Sequence, residues 1–212
     1  MIKLIAAVLM VIDHAGYIFF PDVIYWRLVG RLSMPLFAYG IARGYRYSHD
    51  KGTERKYLRN LVLFAVLSQV PYYLMAGEGI NIGFTWFFSL LWLIILSRTD
   101  ISRPRAVLEC LAVLCAAYLI DVDYGVYGVL MPLALRPQYK YHKMFLHTVI
   151  LWALYVLMNG IGGLIQVFAC LSVPVLAAIE PIDGKVRLPS RFFYVFYPAH
   201  ILILLVINHL IM

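Results

Sequence analysis

Charged side chains are scarce in this sequence, and their scarcity excludes an ordinary soluble domain. Asp, Glu, Lys and Arg make up 14% of the chain, whereas typical globular domains carry about 25%. At the same time 63% of the residues are hydrophobic. So few charges cannot cover a surface that faces water. Lipid must therefore solvate most of the chain.

Cysteines and cofactor motifs are also sparse. The three cysteines, Cys110, Cys115 and Cys170, lie inside apolar runs, which argues against a disulfide framework and against a metal-ligand spacing. The sequence contains no glycine-rich phosphate loop, no zinc-binding spacing and no serine nucleophile elbow. We therefore expect no metal cofactor and no nucleic-acid partner.

Long apolar runs are what the chain does contain. Each approaches the length of about 20 residues that spans a bilayer as a helix, and open sheets cannot satisfy their backbone in lipid. The first run carries Asp13 and His14 and lacks a cleavage signature, so it is interpreted as a helix rather than a signal peptide. The sequence predicts an all-α polytopic bundle, one domain over residues 1–212, with about nine transmembrane helices. Their predicted spans are 3–20, 24–42, 59–75, 83–97, 105–120, 125–136, 144–158, 163–178 and 192–211.

The basic residues predict the orientation of this bundle. All but two of the 18 Lys and Arg residues fall in alternate connections, and the intervening connections hold acidic or neutral residues. Positive charge favours the cytoplasmic side. The N-terminus is therefore predicted to be cytoplasmic, in a multi-pass protein of the cell (cytoplasmic) membrane that contacts membrane lipids. The basic residues of these connections are Lys3, those within residues 43–59, 98–105 and 136–143, and Lys185, Arg187 and Arg191.

Arg27 and Arg31 are the two exceptions, because both fall inside the second predicted helix. A charge in hydrocarbon is costly unless it is paired or hydrated. Asp13 and Arg31 each lie nine residues from Asp22 in the turn between the first two helices, so both sit about 13 Å below that turn. An Asp13–Arg31 ion pair is the expected result, with Arg27 also in need of a partner.

Two histidines reach the same depth as this pair. His14 adjoins Asp13, and His200 lies nine residues past Arg191 on the last helix. The cluster could be a buried polar network that only locks the helices together. Intramembrane ionisable residues more often mark a functional site, and imidazole can take and return a proton near neutral pH. A site for acid–base chemistry is therefore the favoured interpretation.

Motifs containing these residues resemble the TraX family over most of the chain. That family comprises membrane proteins whose founding member acetylates a conjugative pilin at its N-terminus, and it is grouped with transmembrane acyltransferases. The motifs are Ile12-Asp13-His14 in the first helix, Gly30-Arg31-Leu-Ser-Met-Pro35-Leu-Phe37-Ala in the second, Ala42-Arg43-Gly44-Tyr45-Arg46 at its inner end, Ser68-Gln69-Val-Pro71-Tyr72 in the third, Asp123-Tyr124-Gly125-Val-Tyr127-Gly128 opening the sixth, and Tyr194-Val-Phe-Tyr197-Pro198-Ala-His200 in the last.

The resemblance implies transfer of an acetyl group from cytoplasmic acetyl-CoA to an acceptor, with a first-helix histidine as the essential base. By position that histidine is His14. We expect His14 to act as general base or brief acetyl carrier, Asp13 or Arg31 to fix the local field, and His200 to hydrogen-bond the acceptor or thioester. The acceptor is predicted to be the N-terminus of a pilin or other exported peptide, or else a small molecule.

The donor site is predicted at the basic stretch after the second helix. Arg43 and Arg46 lie inside the matched motif with Tyr45 between them. Arginine pairs with phosphate and tyrosine can stack on adenine. The alternative is that these cations only set the topology and contact anionic lipid.

The acceptor site is predicted to include Asp123, Tyr124, Tyr197 and Gln69. The Asp123 carboxylate could bind an incoming ammonium beside Tyr124, or it could simply cap a helix in an interfacial aromatic belt. For Gln69, a structural hydrogen bond within the bundle near Pro71 is the favoured alternative to an acceptor contact.

Three other functions compete with an amine acetyltransferase. Membrane-embedded Asp, Arg and His also occur in proton-coupled transporters. The acetyl acceptor could instead be a sugar or lipid hydroxyl. A scaffold for another membrane protein is the least favoured, because it does not explain why the ionisable groups share one depth.

Overall fold

The computed structural model describes residues 1–185 and 192–211, and these residues are almost entirely helical. Arg187 and Arg191, which were assigned to a basic connection, lie outside the described residues. Within the described ranges there are ten α-helices and two 3-10 segments. The α-helices are α1 Ile2–Phe19, α2 Ile24–Gly30, α3 Ser33–Asp50, α4 Glu54–Ala76, α5 Ile82–Ser97, α6 Arg103–Leu119, α7 Gly125–Ala134, α8 Tyr141–Asn159, α9 Ser172–Ile179 and α10 Phe192–Ile211.

The predicted all-helical membrane fold is confirmed in its class but not in its helix count. Among residues 1–185 and 192–211, four helical stretches are long and apolar enough to cross a bilayer: Ile2–Phe19, Glu54–Ala76, Tyr141–Gly184 and Phe192–Ile211. Helices Ile82–Ser97 and Gly125–Ala134 are apolar but shorter. The protein is thus a membrane protein, and nine continuous spans are not supported.

The second predicted helix is broken in two. α2 ends at Gly30 and α3 begins at Ser33, with a turn at Arg31 and Leu32 between them. Pro35 explains the break, because a proline ring clashes with the carbonyl four residues earlier, here that of Arg31. Arg31 therefore lies in a turn rather than in a regular helix.

The eighth predicted helix is also interrupted. Residues 160–171 form a 3-10 segment, α9 follows, and a second 3-10 segment covers 180–185. Gly160 opens the first segment with a φ of 62°, a left-handed value that glycine adopts without strain. Pro174 conflicts with the carbonyl of Cys170 in the same way that Pro35 does with Arg31. Two 3-10 segments and the short helix α9 therefore replace the expected continuous α-helix.

Helices α1 and α2 form a close hairpin because glycine occurs at both contact points. A Cβ on Gly16 would lie 2.2 Å from the Cβ of Trp26, and one on Gly30 would lie 2.3 Å from the Cβ of Asp13. Only glycine allows backbones to approach this closely. The hairpin consequently presses α2 against the Asp13 side chain.

The apolar core lies between α1, α3, α5 and α7, and α10 packs on one side of it. Fully buried core residues include Leu36, Leu90 and Met131. A second cluster joins α1, α4 and α10 and contains Met10 and Ile201. This second contact brings the middle of α10 against the middle of α1.

Candidate functional site

A pair of histidines joins α1 to α10. The Nδ1 atom of His14 lies 2.8 Å from Nε2 of His200, and the two rings are nearly parallel, with an interplanar angle of 9°. His200 is 6% exposed, whereas His14 is half-buried. The structure thus brings together the two histidines that the sequence placed at one depth.

Asp13 forms ion pairs with two arginines of the neighbouring segment. Its Oδ2 atom lies 2.7 Å from Nη1 of Arg27, and its Oδ1 atom lies 3.9 Å from Nη2 of Arg31. The expected Asp13–Arg31 pair is therefore present but long, and Arg27 provides the shorter contact. Arg27 also donates to the Asp13 carbonyl at 3.3 Å. Two cations share one buried carboxylate.

A cavity of about 650 Å³ adjoins this cluster. His14, Asp13, Arg27 and Arg31 line its inner part, and the connections around Glu78 and Asp121 line its outer part, so its mouth is at the end of the bundle opposite Met1. Six tyrosines complete its polar wall: Tyr17, Tyr72, Tyr118, Tyr124, Tyr127 and Tyr155. His200 is not among the lining residues. His14 therefore presents one side to His200 and another to the cavity.

A tightly held loop carries Asp123 and Tyr124 into the cavity. The Asp123 N–H donates to the Ile80 carbonyl at 2.8 Å, and the Thr85 hydroxyl donates to the Asp123 carbonyl at 2.7 Å. Tyr124 adopts a φ of 61°, a left-handed conformation uncommon for residues other than glycine. A Cβ on Gly128 would lie 2.7 Å from Thr85. Glycine there leaves room for the loop.

The Asp123 side chain is an unpaired carboxylate in this setting. No salt bridge to it occurs among residues 1–185 and 192–211. Burial raises the pKa of Asp123 to about 7, although the nearby Arg31 guanidinium opposes that rise. Arg31 itself donates to the Tyr124 hydroxyl oxygen at 3.1 Å. The cavity therefore offers a carboxylate that an incoming cation could neutralise.

The other two predicted acceptor residues do not line the cavity. Tyr197 lies in the apolar cluster between α1, α4 and α10, with its ring edge-on to His14 at 6.2 Å between centroids. Gln69 holds the turn after α4: its amide donates to the Gly79 carbonyl at 2.9 Å and its oxygen accepts from the Asn81 side chain at 2.7 Å. Tyr197 is therefore placed to pack the histidines, and Gln69 to fix the connection between α4 and α5.

The predicted donor residues lie at the Met1 end of the bundle. Arg43 is half-exposed and forms an ion pair with Asp183. The Tyr45 hydroxyl donates to the Ser97 hydroxyl at 2.5 Å, so the Tyr45 side chain is hydrogen-bonded to the end of α5. Arg46 is exposed and makes no salt bridge within the part of the chain that the structure describes. An anion reaching this surface would have to compete with Asp183 for Arg43.

Several cavity residues were missed by sequence reasoning about the site. Tyr72, Tyr155 and Asp121 come from three separate parts of the chain, and nothing in their local sequence indicates a shared cavity. Arg27 had a usable signal, because it precedes Arg31 by four residues and so falls on the same side of a helix. The guanidinium carbon of Arg27 lies 5.3 Å from the centroid of the Tyr17 ring. This cation–π contact holds Arg27 over Asp13.

These groups together suit proton transfer to a bound nucleophile. An imidazole borders a cavity whose wall contains the Asp123 carboxylate and several tyrosine hydroxyl groups. Asp13, the preceding residue on α1, holds the half-buried Arg27 and the buried Arg31 beside it. General base catalysis requires such an imidazole within reach of the reacting proton. The arrangement also separates the base from the donor candidates at the opposite end of the bundle.

The sequence is similar to a known protein family and to a fimbrial assembly protein. The sequence model of the family described as TraX protein matches residues 1–208. A probable fimbrial assembly protein, FimC of serogroup H1 from Dichelobacter nodosus, is 29% identical over an alignment of 232 positions that covers 96% of this chain and 92% of the relative. No solved structure matches the chain.

Proposed function

The chain belongs to the TraX protein family, and from this premise we propose that it transfers an acetyl group from acetyl-CoA to an acceptor amine. The observation that carries the proposal is the position of His14, a half-buried imidazole at the wall of a cavity that also contains the unpaired Asp123 carboxylate. An amine held near Asp123 and a base bordering the same space are the two groups that amide formation needs.

The reaction proceeds in three steps. The acceptor reacts as its neutral amine, after the ammonium form has released one proton to solvent. The amine nitrogen attacks the thioester carbonyl, and a C–N bond forms as a second proton moves from nitrogen to His14. The tetrahedral intermediate then collapses, and the C–S bond breaks. The thiolate of CoA leaves with the proton that His14 returns, so the base is restored and atoms and charge balance. The half-buried Arg27 and the buried Arg31 beside Asp13 favour the negative charge that develops on the carbonyl oxygen.

The acceptor class is supported by the composition of the cavity wall. Four carboxylates line the cavity against two arginines, which favours a cationic amine over a neutral sugar hydroxyl. Leu154, Leu157 and Met158 form another part of the wall and are at least half-exposed on the outer surface of α8. In a membrane this surface faces lipid, so an acceptor with an apolar segment can reach the cavity. The relative's description as a fimbrial assembly protein agrees with the N-terminus of an exported pilin-like peptide.

The orientation of the protein follows from the same arrangement. We place the Met1 end, with Arg43, Tyr45 and Arg46, in the cytoplasm, because acetyl-CoA is cytoplasmic and anionic. The cavity mouth then faces outward across the cytoplasmic membrane. The donor's long thioester arm enters from one end, and the acceptor enters from the other end or from lipid.

Vesicles containing the purified protein test this proposal against a transporter. Acetyl-CoA labelled in the acetyl group is supplied outside, and a peptide with a free N-terminus and an apolar tail is added to the lipid. The enzyme predicts label in the peptide. Label in a sugar or in the lipid itself would identify that molecule, rather than an amine, as the acceptor. Label that accumulates inside the vesicles as intact acetyl-CoA, with none transferred, contradicts the proposal.

A further inference from the structure

We propose that His200 is a positioning residue: by accepting the Nδ1 proton of His14, it fixes the tautomer of that ring and presents Nε2 as the base. This inference rests on the proposed function for its chemical meaning. Its structural part, the location of one proton, can be measured without any activity. It also changes the role expected for His200, from a contact of the substrate to a support of the base.

The Phe196 carbonyl fixes the proton of His200. The Nδ1 atom of His200 lies 2.9 Å from the carbonyl oxygen of Phe196, and a carbonyl oxygen can only accept. His200 must therefore carry a proton on Nδ1 to make this contact. In a neutral ring its Nε2 is then a lone pair, because neutral imidazole has one donor and one acceptor nitrogen.

The Nε2 lone pair of His200 in turn fixes the proton of His14. Its Nδ1 faces the Nε2 lone pair of His200 at 2.8 Å, so the proton between them has to belong to His14. The neutral His14 ring then carries no proton on Nε2. That nitrogen makes no hydrogen bond to any residue within 1–185 or 192–211, and the ring borders the cavity.

Aromatic packing holds both rings in this geometry. The rings of Phe196, His200 and His14 follow one another in space and are nearly parallel. The ring centroids are 5.1 Å apart between Phe196 and His200 and 5.0 Å apart between His200 and His14. Tyr197 meets both imidazoles at a steep angle, 73° to His14 and 65° to His200. Rotation of either imidazole would break the hydrogen bonds and this packing together. The tautomer is thus set by the backbone of α10 through two rings.

The arrangement also explains what happens when His14 takes a proton. Protonated His14 still donates from Nδ1 to the neutral His200, and a hydrogen bond from a charged donor is stronger than one from a neutral donor. His200 therefore stabilises the charged base without touching the substrate. Its absence should reduce turnover and leave substrate affinity unchanged.

Two substitutions separate ring packing from proton acceptance. His200→Phe keeps an aromatic ring between Phe196 and His14 but has no acceptor nitrogen. His200→Gln lacks the ring but supplies a carbonyl oxygen that can accept from His14. The same two changes at His209, exposed near the end of the same helix, are the matched controls and should leave turnover unchanged.

We expect kcat of His200→Phe to fall on the order of 10²- to 10³-fold, with KM for the amine unchanged. His200→Gln should stay within about tenfold of the parent protein. Equal losses in the two variants, or full turnover in His200→Phe, would overturn the positioning role.

Nitrogen NMR of the histidine-labelled parent protein provides the independent readout, and it does not depend on whether the variants fold. The inference predicts that His14 of the parent protein is protonated at Nδ1 and bare at Nε2. In a folded His200→Phe variant, population should in addition move to the other tautomer. A proton on Nε2 of His14 in the parent protein refutes it. If no acetyl transfer occurs at all, the proposed function fails, and the NMR result still decides the tautomer.

Discussion

Substituting Gly30 by alanine is a demanding test of how the fold supports the site. An added Cβ would lie 2.3 Å from both the Cβ and the Oδ1 atom of Asp13. Carbon atoms pack best at about 3.5–4.0 Å, so α1 and α2 would have to separate by roughly 1 Å. Asp13 cannot give way by rotation alone, because its own Cβ is one of the atoms in conflict.

The displacement acts on both the ion pair and the base. It stretches the 2.7 Å contact between Asp13 and Arg27 and moves His14, the next residue along α1. Overpacking of this kind costs about 1–3 kcal/mol of stability, and a misplacement of about 1 Å at a catalytic group can cost about 10²-fold in rate. We therefore expect Gly30→Ala to fold with reduced stability and to lose most of its turnover.

Two other glycines provide the controls. Gly16→Ala also forces α1 and α2 apart, since its Cβ would lie 2.2 Å from that of Trp26, but the conflict is away from Asp13. Gly40→Ala meets nothing within 4 Å and should stabilise α3 by about 1 kcal/mol through helix propensity. Labelled acetyl transfer and thermal unfolding in detergent are measured for all three. Gly30→Ala with parental turnover, or with stability equal to Gly40→Ala, would refute the reasoning.

Two further predictions concern the two ends of the molecule. Because burial raises the pKa of Asp123 to about 7, the carboxylate that binds a cation predominates above that value. Inhibition by a permanently charged trimethylammonium analogue of the acceptor should strengthen from about pH 6 to about pH 8. Asp123→Asn should abolish this pH dependence. Inhibition of the parent protein that does not change with pH would contradict the prediction. Reversing the charge of Arg43 and Arg46 together should raise KM for acetyl-CoA at least tenfold. The control Arg103→Glu, at an exposed position at the start of α6, should not change this KM. Equal KM values in the two variants would mean that Arg43 and Arg46 only set the membrane topology.

The sequence was sufficient to predict the meeting of His14 and His200. Both lie within long apolar helices, several residues from either end, and in a bilayer the length of such a helix fixes the depth of each residue. The limits of α1, α5 and α10 were predicted to within a residue or two for the same reason. α4 begins at Glu54, earlier than the predicted 59, because Lys, Arg and Glu are good helix formers that hydropathy alone does not detect.

Depth along a helix does not determine direction around it, so the sequence could not decide which of the predicted site residues line the cavity. Tyr197 and Gln69 were expected in the acceptor site, yet neither lines the cavity. Arg27 rather than Arg31 makes the short contact with Asp13, because the break before Pro35 takes Arg31 out of the helix. Tyr72 and Tyr155 reach the cavity only through the packing of α4 and α8, which no local pattern encodes.

The central claim is that the His14 imidazole is the base for acetyl transfer. Its most direct test is the rate at which purified His14→Gln moves labelled acetyl from acetyl-CoA to a peptide amine, compared with the parent protein under saturating donor. Gln is close in size but cannot take the proton. The account predicts a fall on the order of 10²- to 10⁴-fold in a variant that remains folded and monodisperse in detergent. A folded His14→Gln protein with near-parental turnover would contradict it.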